Sequence, residues 1–206
     1  MRAAWLLALA FVVGSGFFTS GATSQEACPW RWQAKPENRL GEGPPPRAIG
    51  DSVMVWSVEP LARHGFRSDA RMCREWPEGR GMIKRLRRKG KLPRRIVMAL
   101  GSNGTLPMWR IERILPLLEG GHVLAIVTPR DVGGTGGQDA KNVRRAASKH
   151  PAKIEALDWV RYSRGKDHWF GGDGVHVKER YTNRYVSCIK QALPRYRRPS
   201  HPCSPN

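Results

Sequence analysis

Acidic side chains are scarce: 17 Asp and Glu stand against 36 Lys and Arg, a formal net charge of +19 over 206 residues. A field of that sign draws anionic partners. Nucleic acid, an acidic cell-wall polymer and a membrane surface all stay open, as does an Arg-rich solvated surface with no partner. No apolar run reaches the roughly 20 residues of a membrane span; the longest covers 3–18. Cysteine is limited to Cys28, Cys73, Cys188 and Cys203, without a C-x-x-C pair or a close Cys/His set, which argues against a structural zinc site. Gly133-Gly134-Thr135-Gly136-Gly137 is not followed by Gly-Lys-Ser/Thr. It is therefore no phosphate loop and reads as a flexible loop near an active-site mouth. No internal repeat is visible.

What is there begins with a leader. Arg2 precedes an apolar stretch over 3–13, and Ala22-Thr23-Ser24 offers a cleavage site, so 1–24 is expected to be a signal peptide. Cys28 lacks the apolar residue expected upstream of a lipidated cysteine. Secretion favours disulfides. Four cysteines allow three pairings, of which Cys188–Cys203, tying the tail to the last helix, with Cys28–Cys73, fastening the N-terminal arm, is preferred. Residues 25–46 read as an irregular arm ending in Pro44-Pro45-Pro46. Residues 47–193 are expected to form one domain, and 194–206 a basic, proline-rich tail that lies on the surface or is mobile.

Within the domain, β-like runs at 47–50, 66–72, 95–100, 122–128 and 153–159 alternate with helical patterns at 54–64, 78–89, 107–118, 139–150 and 178–193. Two runs, Ile96-Val97-Met98-Ala99-Leu100 and Val123-Leu124-Ala125-Ile126-Val127, are continuously apolar, as strands covered on both faces are. Strand–helix alternation predicts a three-layer αβα sandwich, whose reactive groups gather at strand carboxyl ends.

Those ends carry chemistry. Gly50-Asp51-Ser52 places a hydroxyl at a strand-to-helix turn, where a base can make it a nucleophile. Gly101-Ser102-Asn103-Gly104 places a side-chain amide between glycines, suited to holding an oxyanion. Gly172-Asp173-Gly174-Val175-His176 sets an acid three residues before a histidine, so the carboxylate can orient the imidazole.

Taken together, these blocks resemble the SGNH (GDSL-like) hydrolase family, and within it the extracytoplasmic domain appended to acyltransferase-3 membrane proteins. The likeness covers 47–193 and includes Asn142 and Asp158-Trp159. It implies a flavodoxin-like sheet of five parallel strands in the order 2-1-3-4-5, with Ser52 as nucleophile, His176 as base and Asp173 as its orienter. The Ser52 N–H and the Asn103 side chain would hold the oxyanion, and Gly101 would support that turn. Where the subgroup has glycine followed by arginine, this chain reads Met72-Cys73-Arg74. The Cys73 N–H can still donate, although its Cβ implies a different turn.

The implied activity is a secreted esterase or O-acyltransferase on carboxylic esters, most directly the O-acetyl groups of cell-surface polysaccharide or peptidoglycan. It would need no cofactor and no metal. The implied partners are an acylated carbohydrate or small ester, a separate membrane acyltransferase and an anionic cell-envelope polymer, with no specific nucleic acid. Hydrolysis and transfer stay open. The alternative is a non-enzymatic basic protein that binds anionic envelope polymer. Trp169 and Phe170 are candidates for a cleft wall or for ordinary packing, and the basic run 84–89 reads as a solvated helix face.

Overall fold

A computed structural model describes residues 28, 30–38, 41–134 and 136–205. The expected leader lies outside them. Among the described residues, no helix is long and apolar enough to cross a membrane.

One sheet organises the chain. Its strands are β1 (Arg31–Ala34), β2 (Arg47–Gly50), β3 (Arg67–Arg71), β4 (Arg95–Ala99), β5 (Val123–Val127) and β6 (Ile154–Leu157), in the order β1-β3-β2-β4-β5-β6. All neighbours pair in parallel except β1, which runs antiparallel to β3. The sequence predicts five strands and an irregular arm; the sheet has six, because part of that arm is β1. Four residues give too short a run for period-two alternation to stand out. What holds β1 is tertiary: the Arg31 guanidinium and the Gln33 amide donate to the carboxylate of Asp69 on β3. Without that edge strand, the parallel strands run 2-1-3-4-5 in their own numbering.

Helices cover both faces. Side chains alternate along a strand, so Val97 and Ala99 of β4 meet one core while Ile96 and Met98 meet the other. The first core contains Met54, Leu61, Trp159, Tyr185 and Ile189, brought by α1 (Val58–Arg63), α5 (Trp159–Tyr162), α6 (Thr182–Ile189) and the 3-10 turn Ser52–Ser57. The second contains Ile83, Ile111 and Val143, from α2 (Trp76–Arg88), α3 (Met108–Glu112) and α4 (Gly137–Lys149). Each such large apolar side chain, fully buried, contributes about 1.5–3 kcal/mol. The central strands are thus locked on both sides, and their carboxyl ends form a fixed rim.

The periphery decides two points that the sequence leaves open. The tail runs along the surface, with Pro194, Arg195, Arg198, Pro199, Ser200 and Pro202 exposed, but it is anchored near its end, where Cys203 is fully buried and Ser204 nearly so. The disulfide from Cys188 to Cys203 draws it into the first core, and a second joins Cys28 to Cys73. Trp169 and Phe170 belong to that core and pack against Trp159, so neither walls a cleft. The helix carrying the basic run leaves Lys84, Arg85, Arg88 and Lys89 exposed.

Candidate active site

Three loops at the carboxyl ends of the strands meet. After β2, Asp51 caps the 3-10 turn by accepting from the Val53 N–H at 3.0 Å, which fixes Ser52 as the first residue of the turn. First-turn N–H groups have no partner within the helix, leaving the Ser52 N–H available to a ligand. The Ser52 hydroxyl lies 2.8 Å from His176 Nε2. On the other side of the ring, His176 Nδ1 lies 2.5 Å from Asp173 Oδ2. The structure therefore brings Ser52, His176 and Asp173 into one hydrogen-bonded chain.

The carboxylate end of that chain is electrostatically settled. Burial pushes Asp173 up, but hydrogen bonds from the His176 ring and from the N–H groups of Val175 and His176 outweigh it and hold the group at about 2. The same backbone bonds, 2.9 and 3.1 Å long, fold the loop tightly around Asp173. Gly174 makes that fold possible. Its φ is +73, and a Cβ there would meet the Gly134 nitrogen at 2.7 Å.

The start of the glycine-rich loop braces this turn: the Gly133 N–H donates to the Asp173 carbonyl at 3.0 Å. Arg130 completes the support. Its guanidinium donates to the Gly174 carbonyl at 2.8 Å and to the Ser163 hydroxyl at 2.8 Å, and stacks over Phe170 at 3.9 Å.

Asn103 and Gly101 lie on the loop after β4. They line a cleft of about 290 Å³ together with Asp173 and His176. Gly101 has φ +132, and a Cβ there would stand 3.0 Å from Pro129, so this turn requires glycine. The Asn103 amide donates to the Ser102 hydroxyl at 3.3 Å, and Ser102 donates to Asp51 Oδ2 at 2.7 Å. The loop bearing the amide and the loop bearing the hydroxyl are therefore joined through one buried carboxylate. Burial pushes Asp51 above the usual carboxylate range, against hydrogen bonds from Ser102 and Val53 that favour its charged form. Further down the same connection, the Asn142 amide donates to the Leu106 carbonyl at 3.1 Å. Asp158 caps α5 and pairs with Arg144 at 2.8 Å.

Cys73 closes the turn after β3, the strand beside β2. It is the one non-glycine residue with positive φ, +54, among the described residues. This is a conformation that favours glycine, so the position where the resemblance expects glycine keeps glycine's backbone. Its sulfur is bonded to Cys28 and is not a free thiol.

Sequence reasoning missed the pair behind this turn. Arg74, almost wholly buried, donates to the Gly50 carbonyl at 2.9 Å and to Asp69 Oδ1 at 2.7 Å. It thereby ties the Cys73 turn to the residue two before Ser52. Burial pushes Asp69 up, yet hydrogen bonds from Arg31 and Arg74 bring it down to about 2. The only sequence signal was an arginine next to the expected glycine.

No family model matches the chain. The peptidoglycan O-acetyltransferase OatA of Listeria monocytogenes is 22% identical over 169 residues, spanning 77% of this chain and 26% of that protein. The O-acetyltransferase OatA of Staphylococcus aureus is 26% identical over 138 residues, spanning 65% and 22%. The chain thus spans about a quarter of the length of these curated relatives. Among solved structures, the C-terminal catalytic domain of Streptococcus pneumoniae OatA, with a methylsulfonyl adduct, superposes with a TM-score of 0.63 at 23% identity. That match covers 76% of this chain and 96% of that one. A lipolytic protein of the G-D-S-L family from Veillonella parvula gives 0.52 at 16% identity, covering 73% and 98%. The chain has the α/β fold of the SGNH (GDSL-like) hydrolases, and in sequence it resembles the OatA O-acetyltransferases.

Proposed function

We propose that the chain is a serine esterase or O-acyltransferase whose substrate is a carboxylic ester, an O-acetyl group on peptidoglycan or another cell-surface polysaccharide. The observation that carries this reading is the hydrogen-bonded chain from Ser52 through His176 to Asp173. His176 Nε2 takes the proton of the Ser52 hydroxyl as Oγ attacks the ester carbonyl. Asp173 stabilises the imidazolium that results. The negative oxygen of the tetrahedral intermediate accepts hydrogen bonds from the Ser52 N–H, the Asn103 amide and the Cys73 N–H. As the carbon–oxygen bond of the leaving alcohol breaks, His176 returns its proton to that oxygen, and an acyl-serine remains. Water or a sugar hydroxyl, deprotonated in turn by His176, then takes the acyl group and frees Ser52.

Likeness to the OatA proteins supports transfer to a sugar acceptor. In that case a separate membrane acyltransferase supplies the acyl group on the extracytoplasmic side, and the expected leader directs secretion. None of the steps calls for a metal or cofactor. The second reading, a non-enzymatic binder of anionic envelope polymer, draws on the net charge of +19.

Labelling with a fluorophosphonate probe separates the two readings. Ser52 should be modified in the wild type, with the adduct mapped to its peptide, and Ser52→Ala should take up none. Unmodified Ser52 in folded protein would defeat the enzymatic reading. A sugar acceptor that takes acetyl in competition with water would then decide for transfer.

A further inference from the structure

The amino ends of β2, β3 and β4 border a second cleft, of about 660 Å³, walled by Pro44-Pro45-Pro46 on one side and the segment after α6 on the other. Its floor is apolar, formed by the buried Leu92 and Leu193. Lys35, Arg67, Arg94 and Arg195 line it with exposed side chains. Among the described residues none of these four is ion-paired. Among the described residues lining the cleft, Glu42 is the single acid. Ser52 is at the other end of β2, five residues from Arg47, or roughly 16 Å along the strand.

From this arrangement we infer a second binding site, separate from the serine, that takes a phosphodiester polymer. Guanidinium groups match phosphate oxygens in bidentate fashion. Three arginines and a lysine distributed along one groove suit an anion that repeats. The apolar floor suits the carbon links between successive phosphates. Among the described residues lining the cleft there is no aromatic side chain, and thus none of the stacking platform that binds single-stranded nucleic acid. Bound at this end, the protein would be held on an anionic polymer while the Ser52 end stays open to an ester.

The test uses the full chain and poly(glycerol phosphate), titrated at several salt concentrations. Two double variants make the same change in net charge: Arg67→Glu with Arg94→Glu in the cleft, and Arg85→Glu with Arg88→Glu on α2. The cleft pair should weaken binding at least about tenfold and flatten the salt dependence of log K by about two phosphate contacts. The α2 pair should change affinity by less than about twofold, as surface charge outside the site does. Fluorophosphonate labelling of Ser52 should be equal in all three proteins, so failure here is distinct from failure of the serine chemistry. If the glutamate pair does not fold, Arg67→Gln with Arg94→Gln should still weaken binding several-fold. Equal weakening by the cleft and α2 pairs would show only a diffuse field and overturn the inference. So would unaltered binding in the cleft variants, or tighter binding of single-stranded DNA through the same residues.

Discussion

Replacing Asp173 by asparagine alters one atom's chemistry while keeping the loop. Asp173 Oδ1 accepts from the Val175 and His176 N–H groups at 2.9 and 3.1 Å, and the asparagine carbonyl can do the same. The amide then presents N–H, not oxygen, to His176 Nδ1, which Oδ2 faces at 2.5 Å in the wild type. Nδ1 must become an acceptor, so the neutral ring carries its proton on Nε2 and points that N–H at the Ser52 hydroxyl. A ring in that tautomer cannot take the serine proton. The equivalent change in a serine protease lowers kcat by about 10⁴, which corresponds to about 5 kcal/mol of transition-state stabilisation. We expect a loss of that order for Asp173→Asn in hydrolysis of a short-chain aryl ester at pH 7. KM and the thermal unfolding midpoint should change little. Asp173 is held at about 2, below its ordinary 3.8, so any stability it lends is present above about pH 4 and lost as the pH falls towards 2. Its side chain is 39% exposed, and solvent screens most of that contribution. A variant retaining kcat within threefold of wild type, with the protein folded, would refute the tautomer argument.

Further expectations concern the surrounding groups. Asn103→Ala should lower kcat by about 10²–10³ with a smaller effect on KM; steady-state kinetics on the same ester checks this, and a raised KM with kcat unchanged would assign Asn103 to ground-state binding instead. Gly174→Ala forces a Cβ against the Gly134 backbone and should displace His176 enough to cost on the order of 10²-fold in kcat, measured beside a circular-dichroism control. Asp69 sits at about 2 against an ordinary 3.8; that depressed value lends about 2 kcal/mol above pH 4, lost between pH 4 and 2. Asp69→Asn should therefore flatten the acid limb of a urea-unfolding series, and it should destabilise the protein by about 3 kcal/mol at pH 7 by leaving buried Arg74 without its partner. An unchanged acid limb would show that another group governs acid unfolding.

Much of this protein was legible locally. The two unbroken apolar runs announced strands covered on both faces, and β4 and β5 are those strands. Strand–helix alternation fixed the three layers, and the short blocks at Ser52, Asn103 and His176 marked loops that the fold brings to one rim. Such features persist in sequence because periodicity and turn chemistry act over a few residues. The tie from Cys203 to Cys188 was also legible, whereas the edge strand β1 and the buttressing of Asp173 by the glycine loop were not. Each of these two depends on a partner far away in the chain: Asp69 for Arg31 and Gln33, Asp173 for Gly133. The same holds for Arg74 and for Asp51, whose importance comes from the loops they join. Sequence alone thus determined which groups are present and on which kind of element. Tertiary structure alone decided their distances, because a 2.8 Å contact between residues 124 positions apart exists only once both faces of the sheet are packed.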